Sequence, residues 1–305
     1  MFKKVSITLG ILLLLFAALL LPSLFTEKSP PGLVGPNLSS LAYKEVAFTN
    51  GDLSLAGMLF VPEGDGPFPA VVVIQGSGPS RRTNKWYLSV ARYLQENGIA
   101  VLLHDKRGSE RSGGSWIGAD FETLAGDTLA AVDYIRSQEL FPYVGIGLVG
   151  MSQGGWIAPV AASRDGDIDF VVSMSGSSVP VWRQLVHEEI HNISHYTWPF
   201  LARLLAPLTA KRIMKMDHVR PYAGFDPIPY WMKVKAPVFF AFGENDENTP
   251  VKESVAVLKQ DLDVDLIKVY PEGGHAIRDK ITNGVQKQFL HDLVRFIKDT
   301  NPQSG

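Results

Sequence analysis

The chain has 305 residues, of which 46% are hydrophobic and 20% are charged, a composition typical of a globular protein with a sizeable core. Its 29 Lys and Arg residues nearly balance 31 Asp and Glu residues, and it has no long basic run, which argues against nucleic acid as a partner. The absence of cysteine excludes disulfides, thiolate metal sites and a cysteine nucleophile.

Residues 1–26 form the first predicted element, a membrane-directed segment. Two lysines precede an uncharged, mostly apolar run over residues 5–21, whose length lies between a signal-peptide core and a minimal membrane span. Pro22 and the bulky residues after it do not fit a signal-peptidase site, so we expect an uncleaved anchor, with secretion after cleavage as the alternative. The positive-inside rule then places the main chain outside the cytoplasm. Residues 27–42, rich in Pro and Gly, are predicted to be a linker.

From residue 43 onward, short β-branched runs alternate with segments whose apolar residues have helical spacing. This alternation predicts an α/β fold with a mostly parallel eight-stranded sheet and helices on both faces. We assign the core to residues 43–176 and 236–300, and an inserted helical cap to residues 177–235, which are rich in His, Trp, Pro and Met. The predicted strands are 44–48, 54–61, 70–75, 100–104, 144–149, 170–174, 237–242 and 265–270, and the predicted helices of the core are 85–96, 121–138, 156–163, 252–260 and 285–298.

A G-x-S-x-G motif at residues 150–154 lies between the fifth predicted strand and the following helix. A sharp strand-to-helix turn of this kind holds its serine in a strained conformation with the hydroxyl exposed above the sheet, and the glycines let strand and helix approach closely. Ser152 is therefore the candidate nucleophile, with a purely structural glycine-rich turn as the alternative.

A serine hydroxyl becomes nucleophilic when a histidine, oriented by a carboxylate, takes its proton. Asp246 follows the seventh predicted strand and His275 follows the eighth. Both therefore lie on loops at the sheet edge where catalytic groups of α/β proteins are found. Glu244 and Glu247 are alternatives to Asp246 as the acid.

Two further motifs follow other predicted strands: Gln-Gly-Ser-Gly-Pro at 75–79 and Asp-Lys-Arg-Gly at 105–108. With them, the chain over residues 43–299 resembles the α/β-hydrolases, in particular the bacterial subgroup with dienelactone-hydrolase-like, acyl-thioesterase-like and serine-aminopeptidase-like members. The resemblance implies the α/β-hydrolase fold. It also implies roles for three residues: nucleophile for Ser152, orienting carboxylate for Asp246, and general base and then acid for His275.

The same resemblance implies an oxyanion hole made of backbone N–H groups. One would come from Gln153, directly after the nucleophile, and the other from Ser77 or Gly78. Arg107 of the second motif is expected to form an ion pair with Asp105 or another carboxylate rather than to bind substrate.

The cap segment contains an H-E-x-x-H sequence that begins at His187, a pattern in which two histidines one helical turn apart bind zinc and the glutamate activates water. Glu188 and His191 complete it, which defines a zinc-peptidase alternative, but Thr197 stands where a longer zinc motif has its third histidine. We expect instead an amphipathic helix whose His and Glu side chains, with His195, are solvated or line a pocket mouth. Aromatic side chains of the cap either line an acyl pocket or hold the cap on the core: Trp182, Tyr196, Trp198, Phe200, Tyr222, Tyr230 and Trp231.

These features predict a membrane-anchored or exported serine hydrolase that cleaves an acyl bond, with a carboxylic ester as the first candidate, through an acyl-enzyme. No cofactor and no metal are expected. Thioester hydrolysis, short-peptide cleavage and acyl transfer are alternatives on the same fold. A zinc peptidase and a non-catalytic anchored binding protein are the alternatives from other classes. The expected partner, besides the membrane, is a small acyl substrate, and the oligomeric state is left open.

Overall fold

The computed structural model describes residues 32–137, 141–262, 264 and 266–301. The predicted membrane segment and residues 27–31 of the predicted linker lie outside these residues. Among the residues described, no helix combines the length and the apolar character needed to cross a bilayer.

Eight strands of the described residues form a single sheet: β1 (Lys44–Asn50), β2 (Leu53–Phe60), β3 (Phe68–Ile74), β4 (Ala100–His104), β5 (Tyr143–Met151), β6 (Phe170–Met174), β7 (Val238–Gly243) and β8 (Ile267–Tyr270). Their order in the sheet is β1-β2-β4-β3-β5-β6-β7-β8. The β1–β2 and β2–β4 pairs are antiparallel, and the other neighbours are parallel. The predicted α/β fold with a mostly parallel sheet is therefore confirmed.

Helices cover both faces of this sheet and also follow its sixth strand: α1 (Lys85–Glu96), α2 (Phe121–Ser137), α3 (Gln153–Arg164), α4 (Val181–Ser194), α5 (Pro199–Ile213), α6 (Ile228–Trp231), α7 (Val251–Asp261) and α8 (Lys287–Thr300). The helix predicted to begin at residue 156 begins at Gln153 instead. Its first turn contains Gly154 and Gly155, which have low helix propensity and no apolar side chain. The turn at Ser152 directs the chain into the helix before the apolar pattern starts.

Alternate side chains of the central strand β3 explain why helices pack on both faces. Val71 and Val73 pack with buried residues of α1 and α8, whereas Val72 and Ile74 pack with residues of α2 and α3. All four are almost completely buried. Parallel strands that are covered on both faces have continuous apolar sequences of this kind.

The parallel strands bring their carboxyl ends, and the loops that follow them, to one edge of the sheet. Ser152 directly follows β5, while Asp246 and His275 lie in the loops after β7 and β8. Helices α4, α5 and α6 all lie between β6 and β7, so the cap segment leaves and re-enters the core at this same edge. The domain limits at residues 177 and 235 stay predictions.

Three ion pairs made by two arginines connect segments near the ends of β1, β4 and α1. The Arg82 guanidinium contacts Asp105 Oδ2 at 2.7 Å and Glu45 Oε2 at 2.7 Å, and the Arg82 and Asp105 side chains are only 7% and 1% exposed. Arg107 forms the expected ion pair, with Asp127 of α2 at 2.6 Å rather than with Asp105. These pairs tie β1, the segment before α1, the segment after β4 and α2 to one another.

Replacement of Asp105 by Asn leaves the buried Arg82 guanidinium with Glu45 as its remaining carboxylate partner. We expect Asp105→Asn to lower the free energy of unfolding by about 3 kcal/mol, the low end for a broken buried pair. Denaturant unfolding followed by circular dichroism measures this change. Glu96→Gln, which breaks the exposed Arg92–Glu96 pair of α1, is the control and should cost less than about 0.5 kcal/mol. Equal costs for the two variants would contradict the assigned role of burial.

Candidate active site

Ser152 occupies a strained turn between β5 and α3. Its backbone has φ 54° and ψ -118°, in a region that side-chain-bearing residues rarely adopt. Its N–H donates to the carbonyl of Met174 at 2.8 Å, which fixes the turn to the end of β6. A Cβ on Gly150 would lie 2.2 Å from the Gly154 carbonyl oxygen, and a Cβ on Gly154 would lie 2.2 Å from that of Ile74. Only glycine permits this backbone approach.

Asp246 and His275 form a hydrogen-bonded pair on neighbouring loops. The His275 Nδ1 atom lies 2.9 Å from Asp246 Oδ2 and 3.0 Å from Oδ1. Backbone N–H groups of Asn248 and Thr249 donate to Asp246 Oδ1 at 2.8 and 2.9 Å, so the carboxylate is held in place on its other side. A carboxylate partner requires the proton on Nδ1, which leaves Nε2 of the neutral ring free to act as a base.

Two opposing effects set the proton affinity of His275. Burial disfavours the charged ring and lowers its pKa, while the hydrogen bond and the negative charge of Asp246 raise it. The net effect is a raised pKa. Asp246 therefore both orients the ring and stabilises the imidazolium that forms when the ring takes a proton.

A further glycine contact brings two loops together: the loop after β7, which carries Asp246 (the acid loop), and the loop after β8, which carries His275 (the histidine loop). A Cβ on Gly243, the last residue of β7, would lie 2.0 Å from the Gly274 carbonyl oxygen. Behind the histidine, the Trp86 indole N–H of α1 donates to the carbonyl of Ala276 at 3.1 Å. The His275 loop is therefore held between β7 and α1.

The predicted oxyanion donors lie on two segments beside Ser152. Gln153 is the first residue of α3, where N–H groups have no partner within the helix. The second segment approaches closely, since a Cβ on Gly76 would lie 3.4 Å from Ser152 Cβ. The Gly76 N–H donates to the Tyr87 hydroxyl at 2.7 Å, which anchors the peptide before Ser77.

Lys106 joins these two segments, a role that the sequence analysis did not anticipate. Its buried Nζ donates to the carbonyl oxygen of Gly76 and, at 3.0 Å, to Oε1 of Gln153. In a trans peptide the C=O and the next N–H point in opposite directions. By holding the Gly76 carbonyl, Lys106 therefore fixes the direction of the Ser77 N–H, one of the predicted donors, and polarises that peptide.

The charge state of Lys106 suits this role near neutral pH. Burial lowers the pKa of Lys106 to about 7. Asp105, the preceding residue, has its carboxylate engaged by Arg82. The neutral amine retains two N–H bonds, which match the two acceptor oxygens, and the charged form adds a third donor.

The H-E-x-x-H sequence of α4 faces the acid loop. His187 Nε2 lies 3.2 Å from the backbone carbonyl oxygen of Asp246, and Asn248 donates to Glu188 Oε1 at 3.2 Å. Burial raises the pKa of Glu188, although the nearby His275 opposes the shift. Among the residues that the structure describes, no group of three or more His, Asp or Glu side chains is arranged to hold a metal ion. The contacts of His187 and Glu188 therefore hold α4 against the acid loop.

The aromatic residues of the cap divide into two sets. Tyr222 stacks on Phe121 with ring centroids 4.4 Å apart, and Trp231 packs on Phe240 at 4.8 Å. The Tyr230 hydroxyl donates to Glu122 of α2 at 3.0 Å. These three side chains of the cap hold it on the core. Burial raises the pKa of Tyr222 to about 12, and the nearby Gln153 side chain opposes the shift. The other set is exposed at the surface: Trp182, Tyr196, Trp198 and Phe200.

A pocket of about 390 Å³ opens beside the oxyanion segment. It is lined by Gln75, Gly76, Ser77 and Tyr87, with Arg81 among the other contributors. A larger concavity of about 670 Å³ lies between β1 and α2 and contains none of the candidate catalytic residues. Of these two, the smaller pocket includes a predicted oxyanion donor, Ser77.

A serine on a strained turn after β5, with an acid and a base on the loops after β7 and β8, is the arrangement found in α/β-hydrolases. The chain also resembles solved members of that class. An esterase of Pyrococcus furiosus superposes on 89% of this chain and 97% of its own, with a TM-score of 0.63 at 20% identity. The model of the prolyl oligopeptidase family (Peptidase_S9) matches residues 82–301, well over half of the sequence. The chain belongs to this family.

Curated relatives align over shorter stretches. The esterase EstD of Thermotoga maritima is 32% identical over 162 residues, covering 51% of this chain and 37% of its own length. The thiohydrolase aneE of Aspergillus aculeatus is 34% identical over 135 residues, covering 43% of this chain and 41% of its own. The chain thus spans less than half the length of these two relatives.

Loss of the Lys106 amine should loosen both oxyanion donors without removing a group that contacts the substrate. We expect Lys106→Met to lower kcat by about 10- to 100-fold with little change in KM, less than the 10²- to 10³-fold typical of losing a donor itself. Steady-state ester hydrolysis measures both constants. Lys85→Met removes a lysine whose Nζ contacts only Pro36 and Asn37 in the described residues, and it should leave both constants unchanged. A kcat for Lys106→Met equal to that of the control would refute this role.

Proposed function

We propose that this protein is a serine hydrolase that cleaves an acyl bond of a small substrate, with a carboxylic ester as the first substrate class. The observation that carries the proposal is the contact of the Asp246 carboxylate with Nδ1 of His275, beside a strained serine turn. Such a contact orients a base toward a serine hydroxyl. The esterase and thiohydrolase names of the relatives support the same class of reaction.

In the proposed first step, Ser152 Oγ attacks the acyl carbonyl carbon while His275 Nε2 accepts the hydroxyl proton. The carbonyl oxygen becomes an oxyanion, which the N–H groups of Gln153 and of Ser77 or Gly78 stabilise. The tetrahedral intermediate then collapses and expels the leaving group, which takes the proton from His275. The acyl group remains as an ester on Ser152.

In the second step, water attacks the acyl-enzyme. His275 takes a proton from the water, and the same N–H groups hold the second oxyanion. Collapse of this intermediate breaks the bond to Ser152 Oγ, which recovers its proton from His275, and the carboxylic acid leaves. Both steps use only the candidate residues named in the sequence analysis.

Thioesters and short peptides remain alternative substrates because the same groups serve any acyl carbonyl. The thiohydrolase relative favours the thioester alternative, and membership of the prolyl oligopeptidase family favours the peptide.

We further propose that the N-terminal segment anchors the enzyme in the cell membrane with its catalytic part outside the cytoplasm. Two lysines followed by the apolar run at 5–21 support this location.

Covalent labelling tests the proposed nucleophile directly. We expect the full chain to react with a fluorophosphonate and to hydrolyse p-nitrophenyl esters, and Ser152→Ala to abolish labelling and reduce turnover by at least about 10³-fold. Ser137→Ala, which changes an exposed serine of α2, is the matched control and should retain both.

The same assay separates the alternatives. Turnover that persists in Ser152→Ala but is lost with a chelator would refute the serine mechanism and favour a zinc peptidase. A folded wild-type chain that neither labels nor hydrolyses esters, acyl thioesters or aminoacyl p-nitroanilides would favour a binding protein. The ratio of kcat/KM among the three substrates identifies the preferred leaving group.

The pH profile tests the role of Asp246. Because only neutral His275 can accept the serine proton, kcat/KM of the wild type should fall as the pH drops through a pKa above the usual value of His. Asp246→Asn removes the charge that contributes most to raising this pKa and leaves the smaller effect of the Glu188 charge. The acidic limb should therefore move to lower pH, and the maximal rate should fall by about 10³- to 10⁴-fold. An unchanged acidic limb would contradict the assignment. Glu247→Gln, on the same loop, serves as the control.

A further inference from the structure

Helix α5 of the cap has an inverted distribution of side chains. Ala202, Ala206 and Ala210 are completely buried on the face that packs against α4. Phe200, Leu204 and Leu208 follow one another at intervals of about one turn, and they are 66%, 68% and 67% exposed, respectively. Residues two positions apart point roughly 200° apart around a helix, so small residues face inward and large apolar residues face outward.

Such a face is unusual for a helix in contact with water, whose outward positions are normally polar. Among the residues that the structure describes, fourteen large hydrophobic side chains are exposed, and seven of them lie within residues 196–216. Single exposed apolar residues are ordinary on protein surfaces, but a contiguous patch marks a surface that binds something. The outer cap face, as we call it, consists of Tyr196, Trp198, Phe200, Leu204, Leu205, Leu208 and Met216.

The charges around the outer cap face identify the partner. Residues 196–216 contain Arg203, Lys211, Arg212 and Lys215 but no Asp or Glu, although the whole chain has a net charge of -2. All four basic side chains are exposed, and none forms a salt bridge with a residue that the structure describes. A strip that is apolar in the middle and positive at its margin complements an anionic lipid surface.

We propose that the outer cap face docks on the surface of an anionic phospholipid bilayer, with Phe200, Leu204 and Leu208 inserted below the headgroups. Long basic side chains such as Lys211 and Arg212 can then reach the phosphates while their methylene groups stay in apolar surroundings. Tyr196 precedes the helix and suits the interface, since an aromatic ring with a polar end is favoured there. This docking is independent of the reaction proposed above and uses a surface other than the N-terminal segment.

A second copy of the chain fits this surface less well. A two-fold symmetric contact brings the same patch of each copy together, so the four basic residues of one copy would face those of the other. Like charges placed opposite each other oppose association. Anionic headgroups have the opposite sign and meet no such penalty.

A site-specific fluorophore tests the docking in the full chain. Because the chain has no cysteine, Leu204→Cys and Leu208→Cys each provide a single thiol for an NBD label. Tyr143→Cys is the matched control, since Tyr143 is also exposed and starts β5, at the opposite edge of the sheet from the cap. With vesicles of phosphatidylcholine and phosphatidylglycerol, we expect a blue shift and quenching by spin-labelled lipid at positions 204 and 208, and neither change at 143.

Charge removal provides the second arm. In the Leu208→Cys background, Lys211→Gln, Arg212→Gln and Lys215→Gln together should abolish the blue shift, as should vesicles of phosphatidylcholine alone.

The proposal is overturned if the label at 208 is unshifted while the chain sediments with the vesicles, if the control label shifts equally, or if the chain does not bind the vesicles. A shift that appears without lipid and grows with protein concentration would instead identify a second copy as the occupant. Ester turnover in solution should be unchanged in all these variants, which separates a failure of docking from a failure of the proposed reaction.

Discussion

The sheet edge that carries the candidate triad depends on backbone segments that approach one another more closely than side chains permit. At Gly150, Gly154 and Gly243 a single added carbon would lie 2.0 to 2.2 Å from a carbonyl oxygen of another segment. These contacts set the position of the turn that carries Ser152 and bring the acid loop against the histidine loop. The hydrogen bond between Asp246 and His275 can form because the backbone beneath it is already packed.

A line of polar contacts joins the two segments that carry the predicted oxyanion donors. Lys106 contacts Gln153 and Gly76, and the Tyr87 hydroxyl accepts from the N–H of Gly76. The segments that follow β3, β4 and β5 are thereby linked around the proposed position of a developing negative charge. Buried polar groups in such a network rigidify a site when every member has a partner.

Much of this arrangement could be predicted from the sequence because it depends on local patterns. The apolar strands and the glycines around Ser152 define the order of elements, and loops that follow parallel strands must meet at one edge. The family resemblance then gave roles to Asp246 and His275. Among the residues that the structure describes, Asp246 is the one carboxylate that contacts His275 Nδ1. This contact agrees with the choice of Asp246 over Glu244 and Glu247 as the acid.

Other features depend on contacts that no local pattern encodes. Lys106 is one charged residue in a short motif, and only the fold brings it to Gly76 and Gln153. The start of α3 was misplaced because glycines carry no periodic signal. Similarly, the sequence of α5 has the usual helical spacing, and only burial shows that its alanines rather than its leucines face the protein.

The contacts of α4 with the acid loop tie the cap to the loop that carries the proposed acid. His187 Nε2 lies 3.2 Å from the backbone carbonyl oxygen of Asp246, and Asn248 donates to Glu188 Oε1 at 3.2 Å. A substitution at His187 or Glu188 would therefore act on the surroundings of Asp246, although neither side chain belongs to the candidate triad. For the same reason, the cap of this chain is not an independent module, and its exchange for the cap of a relative would have to preserve these two contacts.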